Sequence, residues 1–104
     1  MIGFLMLAAL PGTAGAGFQS GNDLLRDCEA QRPACVAYIE GALDMWVNGQ
    51  TFGRSRKIVC LAPGVEAGQL RDIVIQWLNT HPEDRHLEAS GLVIIAAAQA
   101  FPCS

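Results

Sequence analysis

Hydrophobic positions recur every three or four residues through most of the chain after residue 32, which is the spacing of one face of an α-helix. One stripe predicts a helix that opens at Pro33 and ends at Asn48 and Gly49. A second stripe predicts a helix over residues 66–79, stopped by Thr80, His81 and Pro82. The stripes consist of Val36, Ile39, Leu43, Trp46 and Val47, and of Leu70, Ile73, Val74, Trp77 and Leu78.

Two further helices complete the pattern. Ser20 or Asn22 can cap a short helix over residues 23–28. A last helix starts between Arg85 and Leu87 and runs to Phe101, where Pro102 ends it. Residues 92–98 are apolar on every side, which is typical of a helix surrounded by other helices or lying at a contact between copies. The pattern therefore predicts an all-α fold, a small bundle of about four helices.

The first residues have the features of an export signal. Residues 2–10 form an almost unbroken apolar run, Pro11 and Gly12 break it, and Ala14-Gly15-Ala16 has the spacing of a signal-peptidase site. The usual positive charge is missing, which indicates an atypical signal or a start further upstream; a buried N-terminal helix is the alternative. We expect a signal peptide over residues 1–16 and a single domain over residues 17–104, exported to the periplasm.

The four cysteines predict two disulfides, because an even set in a small exported domain is typical of disulfide-stapled folds. Cys28 and Cys35 flank one turn between helices. If the last two helices are antiparallel, Cys103 lies near Cys60. Of the three connectivities we therefore expect 28–35 and 60–103. A four-thiolate zinc site is the alternative, but its ligands usually include close pairs, and these cysteines form none.

Composition and motifs exclude several classes of function. Seven Lys and Arg against ten Asp and Glu give a net charge of −3, and aromatic residues make up 7%, so nucleic-acid binding is not expected. No apolar run reaches the roughly 18–20 residues that span a bilayer. Phosphate-loop, nucleophile-elbow and zinc-protease motifs are missing. One cluster, between His81 and His86, contains two histidines and two carboxylates that could bind a metal. Its composition is more typical of a link between two helices. We expect no cofactor, no metal and no enzyme.

A series of short motifs surrounds the four cysteines in a fixed order. They are Asp23-Leu24-Leu25, Ala34-Cys35, Tyr38-Ile39-Glu40-Gly41 with Asp44, Cys60-Leu61-Ala62-Pro63-Gly64-Val65, Gln69-Leu70, Trp77-Leu78, His81-Pro82, His86-Leu87 and Ala100-Phe101-Pro102-Cys103. In combination they resemble the small periplasmic immunity proteins of type VI secretion, the Rap/Tai class, over nearly all of residues 17–104. The sequence departs from that class at Glu66, where a capping Ser or Thr is usual, and in its uncharged start.

The resemblance implies an all-helical, disulfide-stabilised inhibitor. Proteins of this class bind a toxic effector injected by a sister cell, which in the best-known members is a papain-like amidase that cleaves peptidoglycan cross-links. They occlude the amidase cleft, often as homodimers. The alternative function is a small periplasmic acid-stress chaperone, which exposes apolar helices at low pH. A small hydrolase acting through His81 and His86 is a weaker third option.

The region most suited to contact an effector is the polar, locally basic stretch at residues 48–57, which we expect to be an exposed loop. Phe52 would act as an apolar anchor, and Arg54, Arg56 and Lys57 would pair with acidic groups at the rim of a cleft. In the alternative interpretation Phe52 folds back onto the core. Further candidates are a helix face near Tyr38 and Asp44, and the apolar last helix.

Overall fold

The computed structural model describes residues 18–104, and this part of the chain folds into four α-helices without a β-strand. They are α1 (Gly21–Glu29), α2 (Pro33–Thr51), α3 (Ala67–Thr80) and α4 (Ala89–Ala100), with a single 3₁₀ turn at Pro82–Asp84 between α3 and α4. The predicted all-α bundle is confirmed. The predicted signal peptide, residues 1–16, lies outside the described residues.

Helix α4 packs against α1, α2 and α3, and each of the other helices likewise packs against all of its neighbours. The apolar surface of α4 is largely covered, as the pattern at residues 92–98 predicts. The buried side of α4 consists of Ala89, Leu92, Val93, Ile94, Ala96 and Ala97. Within the described range no helix has both the length and the apolar character needed to cross a bilayer.

The start of α1 is held by the link between α3 and α4. The backbone N–H groups of Gly21 and Asn22 donate to the carbonyls of Leu87 and Arg85, both at 2.9 Å. These carbonyls therefore satisfy helix-start donors of α1 instead of continuing a helix of their own. This explains why α4 begins at Ala89, later than the predicted start between Arg85 and Leu87.

Ser20 and Asp23 complete the cap of α1, as the sequence predicts for Ser20. The Ser20 hydroxyl accepts from the Asp23 N–H at 3.1 Å, and the Asp23 carboxylate accepts from the Ser20 N–H at 3.2 Å. The Ser20 N–H and the neighbouring Arg26 guanidinium lower the pKa of Asp23 below its ordinary value. The stabilisation that this carboxylate supplies is present above its unfolded-state pKa and is lost as the pH falls through the lowered one.

Both predicted disulfides are confirmed. Cys28 and Cys35 are buried and join the end of α1 to the start of α2, with their Cα atoms 4.9 Å apart. Cys60 and Cys103, with Cα atoms 5.1 Å apart, join the chain before α3 to the residues after α4. The Cys60 N–H also donates to the Phe101 carbonyl at 2.9 Å, which places the end of α4 beside the segment leading into α3. With all four sulfurs paired, the zinc alternative is excluded.

Helix α2 continues past its predicted end at Asn48 and Gly49 and finishes at Thr51. The stop is instead at Gly53, which has a positive φ of 73°. Two bonds close the end of the helix: Arg54 N–H to the Gly49 carbonyl at 2.7 Å, and Gly53 N–H to the Gln50 carbonyl at 3.2 Å. This is the Schellman arrangement. The loop predicted over residues 48–57 is therefore shorter, because residues 48–51 are helical.

Candidate protein-binding surface

Residues 52–57, here called the basic loop, leave α2 at its C-terminus and return the chain to the core at Val59. The loop is tied to the end of α2 at two points. The indole N–H of Trp46 donates to the carbonyl of Arg56 at 3.1 Å. Gly49 is buried against Ser55, and a Cβ atom added at Gly49 would collide with the Ser55 hydroxyl. The glycine therefore allows the loop to lie directly on the helix.

Gln50 is the main tether of the chain that follows the loop. Its side-chain carbonyl accepts from the N–H groups of Ile58 and Val59 at 3.1 and 3.0 Å, and its NH₂ group donates to the Val59 carbonyl at 3.0 Å. One amide side chain thus pairs three backbone groups of a segment that is otherwise irregular. The basic loop is fixed at both ends.

Phe52 and the three cations of the basic loop are all exposed. The Phe52 side chain is 66% exposed, so it does not fold back onto the core as the alternative interpretation expects. Within residues 18–104 the ion pairs involve Arg26, Arg32 and Arg71, and none involves Arg54, Arg56 or Lys57. The loop therefore presents an apolar ring together with positive charges that are available to a partner.

Tyr38 and Asp44 lie apart from each other on α2. They are six positions apart, which places them about 120° apart around the helix axis. Asp44 is exposed, whereas Tyr38 is half-buried and packs against the core. The structure therefore does not bring these two residues onto one face.

An apolar groove that the sequence did not predict lies beside the basic loop, between α2 and α4. Its volume is about 670 Å³. Met45 and Trp46 line it from α2, Ile58 from the chain after the basic loop, and Ile94 and Ile95 from α4. Met45 is 74% exposed and Ile95 43%. Two features of the sequence are consistent with a groove at this place: Met45 falls outside the apolar stripe of α2, and α4 is apolar on every side.

His81 packs at the end of α3, whereas His86 does not. The ring of His81 stacks on Trp77 with centroids 3.9 Å apart, and its Nδ1 lies 2.8 Å from the Trp77 carbonyl. Because a carbonyl only accepts, Nδ1 carries the proton in this bond. His86 is exposed. Among residues 18–104 no group of three or more His, Cys, Asp or Glu side chains is arranged to hold a metal ion.

Comparison with known proteins gives one match. No curated protein matches the chain. No solved structure matches it either. A family model, that of the Rap1a immunity proteins, matches residues 20–103, a span that contains all four helices and all four cysteines. The expected resemblance to immunity proteins is thereby confirmed, and this chain belongs to the Rap1a immunity protein family.

Proposed function

We propose that this chain is a periplasmic immunity protein that binds and blocks a toxic amidase delivered by a type VI secretion system, protecting the producing cell and its sisters. The observation that carries the proposal is the family match over residues 20–103. Membership in an immunity family implies an inhibitor that works by binding a cognate effector, not by catalysis. The amidase class of the effector follows from the resemblance to the best-known members of the Rap/Tai class.

The disulfides support action outside the cytoplasm. The Cys28–Cys35 and Cys60–Cys103 pairs account for every cysteine of the chain. Disulfides persist in oxidising compartments such as the bacterial periplasm and are rare in the cytosol. Peptidoglycan, the substrate of the proposed effector, lies in the periplasm as well. A signal peptide over residues 1–16, cleaved after Ala16, would bring the chain there.

Occlusion of the effector's cleft is the proposed mechanism, with the basic loop as the main contact. Phe52 supplies a large apolar side chain, and the bonds from Trp46 and Gln50 hold the loop in place before binding. A contact that is ordered in advance loses less conformational entropy when the complex forms. Arg54, Arg56 and Lys57 would attract carboxylates at the cleft rim and raise the association rate. Tyr38 and Asp44 remain secondary candidates.

Protection of living cells tests this proposal. The product of the gene next to this chain's gene is taken as the candidate toxin, and it is expressed with an export signal in a host that lacks both genes. We expect it to stop growth, and co-expression of the full chain to restore growth. A chain without residues 1–16 should not protect, because it stays in the cytoplasm. Failure of the full chain to protect against a toxin that is shown to be lethal would contradict the proposal.

The chemistry of the effector is tested separately by analysing peptidoglycan fragments from the poisoned cells. Cut peptide cross-links are expected, and they should be absent in cells that also make this chain. Damage of another kind, with protection intact, would leave the immunity function standing and refute the amidase class. Suppression of the aggregation of unrelated proteins at acidic pH, without protection against the toxin, would favour the chaperone alternative.

A further inference from the structure

We infer that the apolar groove between α2 and α4 is a second part of the effector-binding surface, and that it takes an apolar side chain flanked by carboxylates. The inference rests on the proposed function, because the occupant is a segment of the effector. It adds the apolar groove to the basic loop as a second contact with the effector.

The groove is large enough to receive a large side chain, and its lining is mainly apolar. Its volume of about 670 Å³ falls within the range typical of ligand pockets. Met45 and Ile95 flank it and are 74% and 43% exposed, although both are large apolar residues. Helix α4 packs against the three other helices but keeps Gly91 and Ile95 open to the groove. Covering these residues would remove apolar surface from water.

The charges beside the groove indicate an acidic occupant. Ser55 and Ile58 line the groove, and Arg54, Arg56 and Lys57 are their neighbours in the chain. These three cations take part in no ion pair in the described part of the chain. Carboxylates beside an apolar side chain in the groove would therefore be attracted by these nearby positive charges.

The same charges disfavour a second copy of this chain as the occupant. In a twofold dimer the same surface patch of each copy meets its equivalent. A dimer closed groove to groove would place the basic loops of both copies beside the same interface, where their like charges would repel each other. The effector segment is thus the occupant that the charge distribution favours.

Filling the groove tests the inference, and the chain offers a matched pair of glycines for this purpose. Gly91 on α4 lines the groove and Gly41 lies on the exposed side of α2; both are helical, and a Cβ atom added to either meets nothing within 4 Å. Gly91→Trp and Gly41→Trp are compared in the full chain. The measurement is the Kd for the neighbouring-gene toxin, inactivated at its catalytic residue. Gly91→Trp should raise Kd by about tenfold or more, and Gly41→Trp by less than about twofold.

A second pair of variants tests the charge of the occupant. Met45→Glu and Met45→Lys both remove the exposed thioether side chain, and its 74% exposure leaves the fold intact in both. If carboxylates flank the occupant, Met45→Glu should raise Kd more than Met45→Lys, and the difference should shrink at high salt. Equal effects, or a larger effect of Met45→Lys, would refute the acidic occupant.

The remaining outcomes separate this inference from the proposed function. If the wild-type chain does not bind the toxin, the proposed function fails. If it binds and Gly91→Trp binds equally well, the groove is not part of the interface and the function stands. If Gly91→Trp instead dissociates a wild-type dimer in light scattering, with toxin affinity unchanged, the groove is a contact between copies and the inference is overturned.

Discussion

Phe52 is exposed at the C-terminal end of α2. The residue caps α2, next to a core that other apolar residues of the same region, such as Ile58 and Val59, do enter. An exposed aromatic ring on a tethered loop is typical of the anchors that dominate protein interfaces. At the scale of single residues, the binding function is therefore expected to depend on Phe52 and the cations that follow it.

A triple variant tests this expectation: Phe52→Ala with Arg54→Glu and Arg56→Glu. All three side chains are exposed, so the free energy of unfolding should change by less than about 0.5 kcal/mol. Toxin affinity should fall by about a hundredfold, in line with the loss of one anchor of about 2 kcal/mol and of charge attraction. Calorimetric titration measures it. Wild-type affinity in a folded triple variant would show that the loop is only a connector.

Two glycines show why the sequence did not predict the end of α2 correctly. Asn48 and Gly49 have the composition of a helix end, yet Gly49 lies inside α2 and is needed for contact with Ser55. Gly53, four residues later, is the true stop, because its positive φ closes the helix. A glycine's role depends on what packs against it, and that neighbour is set by the tertiary fold.

At the scale of elements, the stability of the basic loop depends on Gln50. Its three bonds to residues 58 and 59 replace the partners that a regular structure would provide. Gln50→Leu should lower the free energy of unfolding by about 1–3 kcal/mol, because the N–H and carbonyl of Val59 lose their partner. The Ile58 N–H keeps its bond to the Arg56 carbonyl at 3.0 Å. Amide hydrogen exchange should accelerate most at Val59 and less at Ile58, while the centre of α4 stays protected.

Gln50→Glu is the matched control for this tether. A carboxylate can still accept from both N–H groups but cannot donate to the Val59 carbonyl, so we expect a smaller loss of protection than in Gln50→Leu. Unchanged exchange at both residues in Gln50→Leu would mean that the loop is held by Trp46 and Gly49 alone.

The sequence predicted that each of the four helices exists, but it predicted their first and last residues less accurately. The apolar periodicity of α2 and α3 identified both helices, and Pro82 placed the stop after α3 correctly. The start of α4 was predicted too early. Residues 85–88 look helical in the sequence, but their carbonyls accept from the start of α1 and the Gln19 carbonyl accepts from Ala89. Such long-range bonds leave no local signal.

At the scale of the whole molecule, the two disulfides differ in how much they constrain the unfolded chain. Loop-closure entropy gives about 2.5 kcal/mol for Cys28–Cys35 and about 4 kcal/mol for Cys60–Cys103, because the second closes a longer loop. Replacing Cys60 and Cys103 by Ala should therefore lower the denaturation midpoint more than replacing Cys28 and Cys35 by Ala. Urea unfolding followed by circular dichroism checks this order.

The opposite order would indicate that burial outweighs loop length. Cys28 and Cys35 are buried, whereas Cys60 and Cys103 are each partly exposed, so removal of the first pair also leaves a cavity. Cysteine spacing and helix order were enough to predict the pairing. They could not predict the apolar groove, because it forms only where α2, α4 and the chain after the basic loop come together.

Inhibition of the purified toxin tests the central claim most directly. Cleavage of isolated peptidoglycan by the neighbouring-gene toxin is measured while the purified chain, with its disulfides intact, is added in increasing amounts. If the chain binds and blocks the effector, the rate of cleavage should fall in proportion to the amount of chain added. Cleavage should stop at a fixed molar ratio of chain to toxin. Undiminished cleavage in the presence of a large excess of folded, oxidised chain would contradict the account.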